Sequence, residues 1–408
     1  MNILFLATRS PFPLISGLSM RTYHILRGVA QRHKVTLLTF VQLPEHELRK
    51  ENLDHLSSFC HRVHPFRIPV DGSKWKLGMG LLGNLFSPLP FVAQKYDSLP
   101  LRQKIREILS SDKIDLVHVD LLPLSVYINE FQHIPKVLVS HNVESLRLYR
   151  WLQAEKRGYR KSYLRLQHKK LRSFERRALE AFDCCVVVSE VDRQLLAEMG
   201  VKNTLVVVPN GTDTDFFKPM GGKQRPNRVL WIGHMDVHTN RDAVLHFWRE
   251  IRPLLRKEHP PVEMTFVGTA PPEEIARAAQ QDSRVRVTGF VEDIRPHLDE
   301  AAVVVVPIRI GSGTRIKILD AMAMGKAIVS TAVGAEGLDV RHGENILIAD
   351  RPVDFVQAVV SLIKDGARRE ELERNARRTA LKYDWKKLYE IQEQAYETAL
   401  QRKSGRTI

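Results

Sequence analysis

Pro307-Ile-Arg-Ile-Gly311-Ser312-Gly313-Thr314-Arg315-Ile316-Lys317-Ile318-Leu319-Asp320-Ala-Met-Ala-Met-Gly325 leaves an apolar run, turns, and opens a segment whose apolar positions recur at helical spacing. Gly-Ser-Gly-Thr supplies the turn, an N-cap hydroxyl and room for close backbone approach. Arg315 and Lys317 then fall in the first helical turn, where the helix dipole penalises each cation by about 0.3–1 kcal/mol. A bound anion reverses that sign. Free N–H groups, flanking glycines and two cations at a helix start therefore predict a phosphate or diphosphate cradle. The plainer alternative is an exposed first turn with solvated side chains.

Working outward, the strand–turn–helix unit repeats. Short apolar runs at 3–7, 35–40, 116–119, 137–140, 184–188 and 205–208 alternate with longer amphipathic segments, and a second series follows at 228–232, 263–267, 285–288, 303–307, 327–330 and 346–348. Continuous Val/Ile/Leu runs predict parallel strands covered by helices on both faces. A chain of 408 residues exceeds the roughly 250–300 that one core sustains. Two domains follow, joined by the polar, Gly- and Pro-rich stretch 210–227, with ligands expected in a cleft beyond the carboxyl ends of the strands.

Charge narrows the partners. Lys+Arg 62 against Asp+Glu 47 leaves +15, which points to an anionic partner: nucleic acid, an anionic membrane surface or a phosphorylated substrate. Residues 147–178 alone carry a net +10, with Trp151, Tyr159, Tyr163, Leu164, Leu171 and Phe174 interleaved. This segment predicts a basic amphipathic surface for an anionic membrane. No nucleic-acid module accompanies it, so nucleic acid is not the expected partner. Three cysteines, Cys60, Cys184 and Cys185, cannot form a disulfide framework and fit a reducing cytoplasm. The N-terminal run lacks a leading positive charge, so it reads as a first strand rather than a signal peptide. The uncharged stretch 77–94 is interrupted by Gly78, Gly80, Gly83, Pro88 and Pro90, and predicts an exposed apolar loop or broken amphipathic segment rather than a membrane span.

Rival chemistries fail on spacing. Gly325-Lys326 is not a P-loop, because Asp320 and Ala327 stand where Gly and Ser/Thr are required, and no Gly-x-Gly-x-x-Gly follows the first strand. Asp213-Thr214-Asp215 reads as a turn with capping carboxylates rather than a metal site, and no Cys/His cluster has zinc spacing.

The order of an N-terminal glycine loop, a His after a central strand, Pro209-Asn210-Gly211-x-Asp213, Gly289-Phe-Val291-x-Asp293 and the 311–325 stretch resembles family 4 retaining glycosyltransferases. More narrowly, Gly233-His-Met-Asp…Asn240-x-Asp242-Ala243 looks like the bacterial branch associated with exopolysaccharide biosynthesis. The resemblance implies an α/β chain of the GT-B fold, two Rossmann-like parallel-sheet domains facing each other across a cleft. Residues 1–215 would form the acceptor-side domain, 216–384 the donor-binding domain, and 385–408 a closing helix packed back on the first. It implies a cytoplasmic enzyme, peripheral on the inner face of the membrane, moving sugar from a nucleotide-diphosphate donor to a saccharide or lipid-linked acceptor without a metal or other cofactor. Residue by residue, Arg315 and Lys317 would neutralise the leaving diphosphate, with Gly313 and Thr314 adding N–H donors. Asp320 would meet the ribose, Phe290 and Val291 the nucleobase edge, and His141 the donor sugar. Gly17, Arg21 and Gly233 would approach the donor, with Asn142 and Glu144 on the acceptor side. Three positions depart from the pattern: Ser312 replaces the first Glu of the family's E-x7-E pair, Asp320 shortens the second, and His234 and Asn240 replace an Arg/Lys pair. A nucleotide-sugar epimerase of the same architecture, or a binding protein with a degenerate site, is the alternative.

Overall fold

The computed structural model describes residues 1–14, 16–41, 49–69, 74–311 and 314–405. The chain divides into two units, Met1–Pro209 with Leu388–Ile408, and Asn210–Lys387.

The first unit is built on a seven-stranded sheet in the order β3-β2-β1-β4-β5-β6-β7, every pairing parallel. Its strands are β1 (Asn2–Ala7), β2 (Lys34–Val41), β3 (Arg62–Arg67), β4 (Leu116–Asp120), β5 (Lys136–Ser140), β6 (Cys184–Val187) and β7 (Leu205–Val207). β1, β2, β4, β5 and β6 are buried almost throughout, as continuous apolar runs predict. β3 is absent from the sequence reading. Its Arg-Val-His-Pro-Phe-Arg has no apolar run, and Pro65 is tolerated because β3 is the sheet's edge.

The second unit carries a six-stranded parallel sheet in the order β10-β9-β8-β11-β12-β13. Its strands are β8 (Arg225–Ile232), β9 (Glu263–Val267), β10 (Val285–Val287), β11 (Ala301–Val306), β12 (Ala327–Ser330) and β13 (Leu347–Ile348). Both sheets reverse direction of growth beside their first strand, between β1 and β4 and between β8 and β11. At such a reversal the loops leaving the strands' carboxyl ends diverge and leave room for a ligand.

Trp385–Lys403 forms the last long helix, and from Leu388 onward it belongs to the first unit. It lies against the helix Gly17–Arg32 at Gly28, where a Cβ would stand 2.4 Å from the Tyr389 ring. His33 pairs with Glu393 at 2.8 Å, and the buried His118 Nδ1 with the Tyr396 hydroxyl at 2.7 Å.

Residues 147–178 lie on two packed helices, Glu144–Ala154 and Gly158–Ala181. Here the expectation needs correction. Leu164, Leu171 and Phe174 do not form a surface seam; they are buried, and Leu171 and Phe174 belong to the first unit's core. At 3.6 residues per turn these positions share one helix face with Ala178, and that face is consumed by the sheet. Trp151 and Tyr159 remain exposed. The stretch 77–94 takes the second of its two expected forms, a broken helical segment: Lys74–Asn84 is helical through Gly78, Gly80 and Gly83 with Leu77, Met79 and Leu82 exposed, and after an interruption Phe91–Gln94 is a further helical turn. Among the described residues, no helix is long and apolar enough to cross a membrane.

Candidate functional site

In the second unit, the loop after β11 leads into the helix Ile316–Ala323, whose N-cap is Arg315. Lys317, in the first turn, sends its side chain to the carboxyl end of β8. Its Nζ donates to the Ile232 carbonyl at 2.7 Å and to Asn240 Oδ1 at 3.1 Å, and stands 5.2 Å from the Trp231 ring centre. Burial, and then the charge of Arg315, lower this ammonium from its ordinary 10.5 to about 7. Gly233 is shaped by the same atom. Its φ is +154°, and a Cβ there would stand 2.9 Å from Lys317 Nζ. The loop after β9 crosses directly behind, so that a Cβ on Gly268 would meet the Gly233 carbonyl at 1.8 Å. Arg315 lies over Gly311, its Nη2 2.6 Å from where a Cβ of Gly311 would be. Two cations thus converge at the carboxyl end of β8 and at a helix start, whose first backbone N–H groups have no intrahelical partner, and this suits a diphosphate.

Asp320, one turn further along, is buried, and its Oδ1 accepts from the Thr212 hydroxyl at 2.7 Å. Burial pushes its carboxyl up to about 7 against that hydrogen bond, with Asp213 adding repulsion. Asn210 Nδ2 donates to the Thr314 hydroxyl. The stretch read as a linker therefore clasps both the loop and the body of this helix through Asn210 and Thr212. Asp213 Oδ1 accepts from the backbone of Asp215 and Phe216 at 3.1 and 2.9 Å. Phe290 is 71% exposed while Val291 packs on the core. His234 Nδ1 pairs with the Thr269 hydroxyl at 2.9 Å, and its carbonyl accepts from Asn240. Ser312 and Gly313 lie outside the described residues.

In the first unit, β4 ends in Asp120, a buried carboxylate that sequence reasoning missed. Asp120 Oδ1 pairs with His141 Nε2 at 2.8 Å, and Oδ2 accepts from the Thr22 hydroxyl at 2.5 Å. Burial alone would raise the Asp120 carboxyl, but the charge and hydrogen bond of His141, together with His118 and Thr22, bring it down to about 2. An Asp closing the short buried run Leu116-Val-His-Val119 at the sheet's reversal was the available signal. Gly17 begins the helix 17–32, capped by Ser16, whose side chain accepts from the Ser19 N–H.

Two expected roles change. Arg21 does not reach toward a ligand: it is 2% exposed and donates to the carbonyls of Val208 and Pro209, each at 2.8 Å, so it anchors the end of the first unit's main segment. Glu144 is tied to Arg147 at 2.6 Å on its own helix, and that helix is capped by the buried Glu175, which accepts from the N–H groups of Glu144 and Ser145 at 2.7 and 3.1 Å. Asn142 offers its carbonyl to the Ser140 hydroxyl at 2.8 Å.

Two Rossmann-like parallel sheets, the second with paired cations at its reversal point, form the architecture of the GT-B glycosyltransferases. Residues 15–216 match the model described as Glycosyltransferase Family 4 and residues 226–365 that described as Glycosyl transferases group 1, and the chain belongs to these glycosyltransferases. Among solved structures it is similar to sucrose-phosphate synthase of Thermosynechococcus elongatus, at 17% identity over 97% of this chain and 98% of that one, TM-score 0.70. It is also similar to HepE of Anabaena in complex with UDP, at 18% identity over 98% and 99% of the two chains, TM-score 0.66. At these identities the likeness is one of fold. An uncharacterised 44.6 kDa protein in the cps region of Klebsiella pneumoniae is 27% identical over 155 residues, 36% of this chain and 40% of that protein's length.

Proposed function

We propose that this protein transfers a sugar, with retention of configuration, from a nucleotide-diphosphate donor to a lipid-linked saccharide acceptor in building a surface or exopolysaccharide. The observation that carries the reading is the placement of Lys317 Nζ against the end of β8, with Arg315 at the start of the same helix. Departure of a nucleoside diphosphate develops negative charge, and cations fixed in advance stabilise it by several kcal/mol without reorganisation. The lowered Lys317 value means that the free protein holds this charge at a cost which a dianion relieves. In this reading Arg315, Lys317 and the helix N–H groups do the work without a metal ion. His141 is the first unit's contribution, its ring fixed by Asp120 as a base-orienting carboxylate fixes an imidazole. The HepE relative in complex with UDP supports a uridine donor, and the cps-region relative supports a role in polysaccharide assembly.

The test is incubation of the purified chain with a panel of nucleotide sugars, with and without lipid-extract acceptors. Acceptor-dependent release of nucleoside diphosphate, unchanged by EDTA, is expected, with NMR of the product showing the donor's anomeric configuration. Donor binding without release on any acceptor would sink the assignment, and inverted product would sink retention alone.

A further inference from the structure

The turn that presents His141 is short. β5 ends at Ser140, and the helix Glu144–Ala154 begins directly after His141, Asn142 and Val143. Each residue of this turn is tied down. The His141 ring meets Asp120 at 2.8 Å, the Asn142 carbonyl accepts from the Ser140 hydroxyl at 2.8 Å, and Val143 is buried in the first unit's core. Asp120 is held ionised and can only accept, so His141 Nε2 carries the proton of the pair. The direction of the ring then depends on where the turn ends, at the start of the helix Glu144–Ala154.

That helix has no cap of its own. Its N-cap, Val143, makes no side-chain hydrogen bond, which would leave the first N–H groups without acceptors. Glu175 supplies the acceptors from the helix Gly158–Ala181. One of its carboxylate oxygens accepts from the Glu144 N–H at 2.7 Å and the other from the Ser145 N–H at 3.1 Å. Leu171, Phe174, Glu175 and Ala178 fall within about 100° of helix circumference, and Glu175 is 0% exposed on this apolar face. Burial, with the like charge of Glu144 adding to it, pushes the Glu175 carboxyl up to about 7 against the hydrogen bonds it receives. An apolar residue is what the face calls for, and a fold retains such a local conflict where function needs it. We propose that Glu175 is a positioning residue for His141: by capping the helix Glu144–Ala154 with both carboxylate oxygens, it fixes the turn 141–143 and with it the line of the imidazole against Asp120. The inference rests on the reading of His141 as the first unit's contribution to transfer.

Glu175→Met keeps the side chain's length and removes both acceptors, and Glu175→Gln keeps one. With the Met variant kcat should fall about tenfold to a hundredfold, the loss expected when a reacting group is misplaced by about 1 Å, and the Gln variant should fall between it and the parent. UDP affinity by calorimetry should be unchanged, because the cations that meet the diphosphate lie in the second unit. The pair is also read without any substrate. The exchangeable imidazole N–H signal of His141 in proton NMR, assigned by its loss in His141→Asn, should exchange faster with water in both variants. Their Tm at pH 8, where the parent bears the full cost of the buried charge, should stay close to the parent's, since relief of that cost offsets the lost hydrogen bonds. Unchanged kcat in both variants overturns the proposal. So does an unchanged His141 signal with a lowered Tm, the mark of a cap that serves the fold alone; if the Met chain does not fold, the Gln chain carries the same comparisons. Absence of acceptor-dependent release by the parent overturns the transfer reading instead, and the N–H signal still decides the positioning.

Discussion

Replacing Lys317 with Met keeps the side chain's length and removes its charge, and the structure predicts opposite effects on folding and turnover. Lowering an ammonium from 10.5 to about 7 costs its protonated form about 4 kcal/mol, after allowance for the part of the side chain that solvent reaches. Below pH 7 both folded and unfolded chains hold this proton and the folded state bears the full cost. Between pH 7 and 10.5 the folded chain has released it while the unfolded chain has not, so the parent gains stability as pH rises. The Met variant has no such gain. It should be at least as stable as the parent at pH 6 by urea denaturation, with the difference shrinking toward pH 10, although the Ile232 carbonyl loses a donor worth about 1–3 kcal/mol. Turnover should nevertheless fall about 10²–10³-fold, the cost of removing one preorganised donor from a developing oxyanion. Parallel stability curves across pH, or turnover within tenfold of the parent, would refute the reasoning.

UDP affinity of the parent should decline by up to about tenfold per pH unit above pH 7, because binding must then return a proton to Lys317; calorimetry in buffers of different ionisation enthalpy should detect the uptake, and Lys317→Met should show none. Asp120→Asn removes the carboxylate that holds His141 and accepts from Thr22, and should lower turnover about hundredfold or more while costing about 3 kcal/mol of stability; unchanged kcat would separate the pair from the reaction. Gly233→Ala places a methyl 2.9 Å from Lys317 Nζ at a φ of +154° and should weaken UDP binding at least tenfold, with about 1–3 kcal/mol of strain in the unbound fold.

The parallel strands were legible because buried parallel strands carry side chains covered on both faces, and Val303-Val-Val-Val306 or Leu4-Phe-Leu6 can hardly be read otherwise. β3 was not, because half its pairing surface faces solvent and its residues record that exposure rather than a strand. Lys317 and Arg315 could be read as an anion site from their conflict with the helix dipole, a purely local signal. The site's other members carry no such local signal. Asn210 and Asn240 stand out only within the motifs of the resemblance, and what they hold emerges only from partners 104 and 77 residues away, Thr314 and Lys317; Asp120 and Thr212 become significant only through His141 and Asp320, 21 and 108 residues away. The aromatic spacing of residues 147–178 has the period of an amphipathic helix in either environment. Sequence periodicity fixes which residues share a face, but not whether that face meets a sheet or solvent.

What the sequence determined by itself is therefore local and periodic: the alternation of buried strands and helices, two sheets, and a cationic helix start that asks for an anion. Tertiary structure decided the rest, since burial and long-range hydrogen bonding depend on what the fold brings alongside. It buried Arg21 and Phe174, left Trp75 and Phe86 open, lodged Lys317 Nζ at the end of β8, and joined Asp120 to His141.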